Sequence, residues 1–307
     1  MTPLVLATAL TKTYGTRDAL HALDLTVAPG SRFVVLGHNG AGKSTLLEII
    51  ATLRTPTSGS VRVGGFDTVT QARAARRLIG LAPQSNALDP LATPTEVLDF
   101  HGVALGLGRR GRARRTRELV DLFGLGEHRA ARVATLSGGT RRKLDLAVAL
   151  VAEPAVVILD EPTTGLDPLA RIDFWTELTR LNQAGTSLLI STQDLHEADV
   201  LATEIAVLRD GRVVAQGPPA SLKQRVGART LTLDLSGAAA AAAFAAASEA
   251  GFRADPDRPD RVRFSVPDDP RALAKALVEA GDAAADITRL HLAEPSLDDV
   301  FVALAAR

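Results

Sequence analysis

The chain has 307 residues, 46% hydrophobic and 23% charged, and a formal net charge of zero. It can bury a sizeable core in one large or two modest domains, and no global positive field draws it to nucleic acid or anionic lipid. It has no cysteine, which excludes disulfides, thiolate catalysis, iron–sulfur clusters and Cys-based zinc sites. No segment reaches the roughly 18 consecutive apolar residues that span a bilayer, so a soluble, cytoplasmic protein is expected.

Leu4–Ala9 follows no basic residues and reads as a strand, not as a leader peptide. Arg32–Leu36, Ala155–Leu159 and Ser187–Ile190 are apolar runs bounded by turn residues, as expected of parallel strands covered on both faces. Gly64–Gly65 after Ser60–Val63, and Asp210–Gly211 between Ile205–Leu208 and Val213–Ala215, predict hairpins. The stretch from about Thr93 to Val133 has helical periodicity and no clear strand, which predicts an inserted helical subdomain. Its arginines (Arg109, Arg110, Arg112, Arg114, Arg115 and Arg117) read as a solvated helix face.

After Gly217–Pro218–Pro219 the character changes. Thr230–Leu235, Arg261–Val266 and Ile287–Leu292 read as strands, with helices over Ala238–Ala250, Arg271–Ala280 and Leu297–Ala305. Ser296 with Asp299 three residues on predicts a capping box for the last helix. The expected division is 1–218 for a nucleotide-type α/β domain and 219–307 for a small α+β domain.

Gly37-His38-Asn39-Gly40-Ala41-Gly42-Lys43-Ser44-Thr45 matches the phosphate-binding loop G-x-x-x-x-G-K-[ST], after a buried strand and before a helical run. The glycines let backbone N–H groups converge on phosphates at a helix N-terminus, where the dipole favours anions. Lys43 reaches the β/γ-phosphates and the Ser44 hydroxyl suits Mg²⁺. Val156–Glu161 is an apolar strand delivering two carboxylates at its C-terminal end, where α/β sheets place ligand chemistry. Asp160 suits Mg²⁺, directly or through water, and Glu161 is placed to orient and deprotonate an attacking water.

Leu136-Ser137-Gly138-Gly139-Thr140, shortly before the Asp160–Glu161 strand, resembles the LSGGQ signature of ABC-type ATPases. A Ser-Gly-Gly turn opening a helix is a second anion-binding nest. The resemblance covers about residues 4–218. It implies an α/β P-loop NTPase with a mixed sheet and an ATP-hydrolysing subunit of an ABC transporter using ATP and Mg²⁺. It implies that Ser137, Gly138 and Gly139 act on the ATP of a second subunit, in a homodimer or heterodimer docked on separate transmembrane permease subunits. Such a subunit sits on the inner face of the cell membrane. Gln84 resembles the Q-loop residue that senses Mg²⁺ and water. Gly165-Leu-Asp167-Pro168 resembles the dimer-facing D-loop, and Tyr14 stands where relatives stack an aromatic on adenine. Glu294–Phe301 is similar to the ending of the daunorubicin/doxorubicin-resistance ATPases, which implies export of a hydrophobic compound.

Three positions depart from the family pattern. His38 replaces the usual proline of the loop and keeps the backbone donors. Thr140 replaces glutamine or methionine. Gln193 stands after the strand ending at Thr192, where relatives have a histidine on the γ-phosphate. His196 is nearby, but Asp194 with Glu197 predicts a helix start. Three residues into a helix is about 300° of rotation and roughly 4.5 Å of rise, which turns His196 away. Glutamine donates one hydrogen bond but relays no proton. A catalytically degenerate, ATP-binding regulatory subunit is therefore the alternative reading. An ABC-type ATPase of DNA or ribosomes fits less well, given one phosphate loop, no cysteine and no sustained heptads.

Overall fold

A strand with no polar face must be covered on both sides, and the three apolar runs accordingly lie in the interior of a six-stranded sheet. The computed structural model describes residues 2–84, 88–224, 229–249, 251–255, 258–266, 270–282, 286–293 and 295–305. Residues 1–218 and 219–307 form two compact units.

The first unit begins with β1 (Val5–Tyr14), β2 (Arg17–Val27), β3 (Arg32–Leu36) and α1 (Lys43–Ile50). Next come β4 (Ser58–Val63), β5 (Phe66–Asp67), α2 (Ala72–Arg76) and β6 (Ile79–Ala82). The inserted helices are α3 (Pro94–Ala104) and α4 (Arg109–Leu122), followed by α5 (Gly138–Ala149). The unit closes with β7 (Val156–Asp160), α6 (Pro168–Gln183), β8 (Ser187–Thr192), α7 (Leu195–Leu201), β9 (Glu204–Arg209) and β10 (Arg212–Gly217).

The sheet β10-β9-β3-β8-β7-β6 is parallel except for the β9–β10 hairpin. That hairpin turns on Asp210 and Gly211 at φ 46° and 72°, and the Gly64–Gly65 turn has φ 56° and 86°. Positive φ at both central residues matches the right-handed twist of the flanking strands. A second sheet, β2-β1-β4-β5, is antiparallel. Leu46, Leu47, Ile49 and Ile50 of α1 share one core with Val5, Leu10 and Leu25 of this sheet and with Phe33, Val35 and Ile158 of the parallel one. Each such buried side chain contributes about 1.5–3 kcal/mol, so the helix behind the phosphate-binding loop is anchored from both sides.

The middle stretch carries helices and no strand among its described residues. Thr93 and Glu96 form a reciprocal capping box at the start of α3: Glu96 accepts from the Thr93 N–H at 2.8 Å, and the Thr93 hydroxyl accepts from the Glu96 N–H at 3.3 Å. No described helix is long and apolar enough to cross a membrane.

The second unit contains α8 (Pro219–Gln224), β11 (Arg229–Leu235), α9 (Ala238–Ala247), β12 (Arg253–Ala254), β13 (Arg261–Val266), α10 (Pro270–Asp282), β14 (Ile287–Ala293) and α11 (Leu297–Ala305). Its sheet runs β12-β13-β11-β14, and Leu231, Leu233, Val262 and Phe264 bury one face against α9 and α10. The polyalanine helix stops at Ala247, short of the expected Ala250, which lies outside the described residues. The Ser248 hydroxyl accepts from the N–H groups of Gly251 and Phe252 and turns the chain there. The box opening α11 forms as expected: Ser296 Oγ accepts from the Asp299 N–H at 3.1 Å and the Ser296 N–H donates back at 2.8 Å. Glu294, just before it, lies outside the described residues.

Candidate functional site

Parallel strands all end on one edge, and that edge gathers the motifs that are far apart in sequence. Leu36 pairs with Thr192, Asp160 with Ser191, and Ala82 with Leu159. Gly37, Glu161, Gln193 and Gln84 therefore all leave the sheet from its carboxyl edge, where open α/β sheets bind ligands.

The loop after β3 owes its path to two glycines with no room for a side chain. A Cβ on Gly37 would stand 2.4 Å from Leu208 O, and one on Gly42 would stand 2.6 Å from Ala19 O. Gly42 also takes φ 103°, a left-handed value reserved for glycine in practice. Lys43, only 4% exposed, points back under the loop. Its Nζ donates to Gly37 O at 2.8 Å and to His38 O at 3.1 Å, and lies 3.3 Å from Glu161 Oε1.

Glu161 is held in an unusual backbone state, φ 45°. Its N–H is shared between Ser191 O at 3.1 Å and Ser191 Oγ at 3.0 Å, and Ser191 in turn donates to Asp160 Oδ1. The second carboxylate oxygen of Glu161 accepts from Gln84 Nε2 at 3.1 Å. Lys43, Gln84 and Glu161 thus meet in a cleft of about 480 Å³ that Tyr14, Asn39, Gly40, Gly42, Ser44 and Thr45 also line. The Tyr14 ring, at the rim, has Lys12 Nζ 5.1 Å and Arg54 Cζ 5.5 Å from its centre.

The remaining candidates lie elsewhere. Ala41, within the loop, is buried, and His38 Nε2 stands 3.9 Å from the exposed Asp210 carboxylate. Ser137 is the N-cap of α5: its Oγ accepts from the Thr140 N–H at 3.1 Å and pairs with the Thr140 hydroxyl at 2.8 Å. Ser137 and Gly138 are exposed, and neither they nor Gly139 line the cleft. Asp167 caps α6, accepting from the N–H groups of Leu169 and Ala170 at 3.1 and 2.9 Å.

Gln193 is exposed and has no hydrogen-bond partner among the described residues. His196 turns to the Trp175 ring, 5.4 Å between centres. The capping box expected there is only half formed. Asp194 accepts from the Glu197 N–H, but the Glu197 carboxylate is buried, accepting from Thr163 Oγ1 at 2.9 Å and Trp175 Nε1 at 3.0 Å.

Two further residues belong to the site although no motif includes them. Arg142 is buried in α5 and donates to Pro162 O, Pro83 O and Asp160 O, so one side chain ties together the segments bearing Glu161 and Gln84. Burial pushes the neighbouring Asp145 carboxyl up to about 6, with Arg142 pulling it partly back. No sequence signal marks an arginine with this role. Arg17 lines the cleft beside Tyr14, and its signal was legible: three residues after Tyr14, it lies directly across a tight turn.

A phosphate-binding loop after β3, carboxylates at the carboxyl end of β7 and a helix docked behind the loop define a P-loop nucleotide hydrolase. Residues 20–164 match the ABC transporter family, and residues 217–305 match the C-terminal domain of ATP-binding proteins of the DrrA1-3 kind. The chain is 40% identical over 297 residues to the daunorubicin/doxorubicin resistance ATP-binding protein DrrA of Streptomyces peucetius, covering 96% of this chain and 90% of that one. It is 34% identical over 308 residues to the doxorubicin resistance ATP-binding protein DrrA of Mycobacterium tuberculosis, with 98% and 93% covered. A dimeric ATP-binding cassette solved in a post-hydrolysis state with ADP and Pi superposes with a TM-score of 0.63 at 28% identity, covering 70% of this chain and 98% of that one. The chain belongs to the ATP-binding subunits of ABC transporters, in the branch of the drug-resistance ATP-binding proteins. It binds and hydrolyses ATP, and it works with the membrane subunits of a transporter.

Proposed function

We propose that two such subunits form composite sites in which Lys43 of one and Ser137 of the other hold the same ATP. The observation that carries this reading is the separation of the parts. Lys43, Gln84 and Glu161 share one cleft, while the exposed Ser137–Gly138 nest does not line it. An isolated chain therefore lacks donors on the far side of the γ-phosphate. Backbone donors of Gly37 to Gly42 and the Lys43 ammonium take the phosphates, and Tyr14 stacks on the base. Glu161 orients and deprotonates the water, and Asp167 faces the second subunit.

Ser44, Gln84 and Asp160 offer a hydroxyl, an amide oxygen and a carboxylate, the hard donors that Mg²⁺ prefers. When bound, the ion would neutralise charge on the β- and γ-phosphates.

Complementation between subunits tests the composite site. Lys43→Ala and Ser137→Ala proteins should each be inactive alone. Mixed, they should regain ATPase activity, because one site of the mixed dimer then has an intact loop and an intact signature. A mixture as inactive as its parts sinks the composite reading.

Gln193 is the contact we assign to the γ-phosphate. It donates one neutral hydrogen bond where a histidine would also stabilise developing charge. Gln193→His should therefore raise turnover, by about tenfold if part of an oxyanion-type contact is restored. ATP affinity should barely change, since the loop dominates binding. Equal or lower turnover would show that the surrounding loop is adapted to glutamine.

Docking on a membrane partner is supported by a groove of about 470 Å³ beside α3, with Leu91 and Phe100 exposed at 69% and 68% and Asp89 and Glu96 at its rim. Large exposed apolar side chains around one groove suit an apolar segment of the membrane subunit. On this reading the chain sits on the inner face of the membrane. The resistance function named for its relatives supports export of a hydrophobic compound, with selectivity residing in the membrane subunits.

A further inference from the structure

We infer that Arg17 is a second phosphate-binding cation of this nucleotide site, acting beside Lys43. The inference rests on the nucleotide cleft assigned above and adds a residue that no motif marks.

The β1–β2 hairpin joins Tyr14 to Arg17 through Gly15 and Thr16, and the two flanking residues are register partners. Gly15 takes φ 58°, which permits so short a connection. The hairpin is seated on the loop region. Ala19 O stands so close to Gly42 and Gly211 that a Cβ on either would lie 2.6 Å from it, and the His21 N–H donates to Gly211 O at 2.9 Å. Arg17 is therefore presented to the cleft by a fixed support.

Its guanidinium hangs over the phosphate-binding loop: Arg17 Nη2 is 3.8 Å from the position a Gly40 Cβ would occupy. Arg17 lines the same cleft as Lys43 and Glu161, is exposed, and makes no hydrogen bond or ion pair with a described residue. Contrast Lys43, whose ammonium is engaged by two carbonyls and Glu161. A guanidinium with five donors and no partner among the described residues, close to Gly40 of the phosphate-binding loop, suits phosphate oxygens. It also shares in neutralising a polyphosphate that Lys43 alone would leave strongly negative.

The test is nucleotide titration of the full-length protein and of Arg17→Ala and Arg17→Lys, with MgATP and MgADP, at low and high salt. Arg17→Ala should weaken both nucleotides about tenfold at low salt, the lower end for a charge-assisted contact. That deficit should shrink as salt rises, since screening weakens exposed charge pairs. Arg17→Lys, a point charge without the planar fork, should fall between the two. Unfolding of all three proteins without nucleotide should coincide, because the Arg17 side chain makes no hydrogen bond or ion pair with a described residue. An unchanged affinity in Arg17→Ala overturns the proposal. So does a deficit that is the same at every salt concentration, which would mark a contact with ribose or base. Lys43→Ala serves as the control: if it too binds normally, the assigned cleft is at fault and not Arg17 alone.

Discussion

Glu161→Gln should bind MgATP and fail to hydrolyse it. The amide keeps the shape of the carboxylate and its contact with Gln84, but it cannot accept a proton from water. General-base catalysis is typically worth about 10²–10⁴-fold, and a loss of that order in phosphate release is expected. Without turnover the closed state should accumulate, so gel filtration with MgATP should show a dimer, while the wild type under the same conditions passes through it. Residual hydrolysis near the wild-type rate would remove Glu161 from the role of base. A protein that is monomeric with ATP and Mg²⁺ would count against the composite site.

Lys43→Ala should be the most damaging change to nucleotide affinity. A charge-assisted contact contributes about 1.5–3 kcal/mol, and this one is almost fully withdrawn from water, so a loss of at least tenfold is expected. The variant has a second effect. It leaves the Glu161 carboxylate, 9% exposed, without its cation, and breaking a buried pair costs about 3–5 kcal/mol. Thermal unfolding without nucleotide reads that effect separately. Calorimetric titration on the folded variant then measures binding, and undiminished affinity there would contradict the assigned phosphate site.

How legible the molecule was depended on whether a residue's chemistry is local. The phosphate loop is a nine-residue solution to a backbone problem, so Gly37 to Thr45 announces itself, and the strand ending in Asp160–Glu161 does so almost as plainly. The fully apolar strands were found for a similar reason: Phe33, Val34 and Val35 have no polar alternation that could place them elsewhere. β2 is hard to read from sequence because His21 and Asp18 interrupt its first half. Its second half, Leu23-Asp24-Leu25-Thr26-Val27, does alternate with buried positions at 23, 25 and 27. Arg142 was invisible in principle. An arginine on a helix reads as solvated until three carbonyls from distant segments are seen to converge on it. Glu197 misled for the opposite reason: its spacing from Asp194 suggested a local cap, while Thr163 and Trp175, remote in sequence, claimed its carboxylate.

The pairing of Lys43 with Glu161 has a consequence for the resting protein. With Lys43 on one carboxylate oxygen and Gln84 on the other, the base is occupied whenever the cleft is empty. A phosphate entering the loop competes with Glu161 for the same ammonium, so nucleotide arrival and liberation of the base are one exchange. Opposite charges at this distance and burial resist separation, and that resistance subtracts from the affinity the loop would have by itself. Replacing Glu161 by a neutral side chain removes the competitor. The Glu161→Gln protein should therefore hold ATP more tightly than the wild type even before hydrolysis is considered: the native chain gives up grip on its fuel to keep its water-activating group out of action until fuel is present.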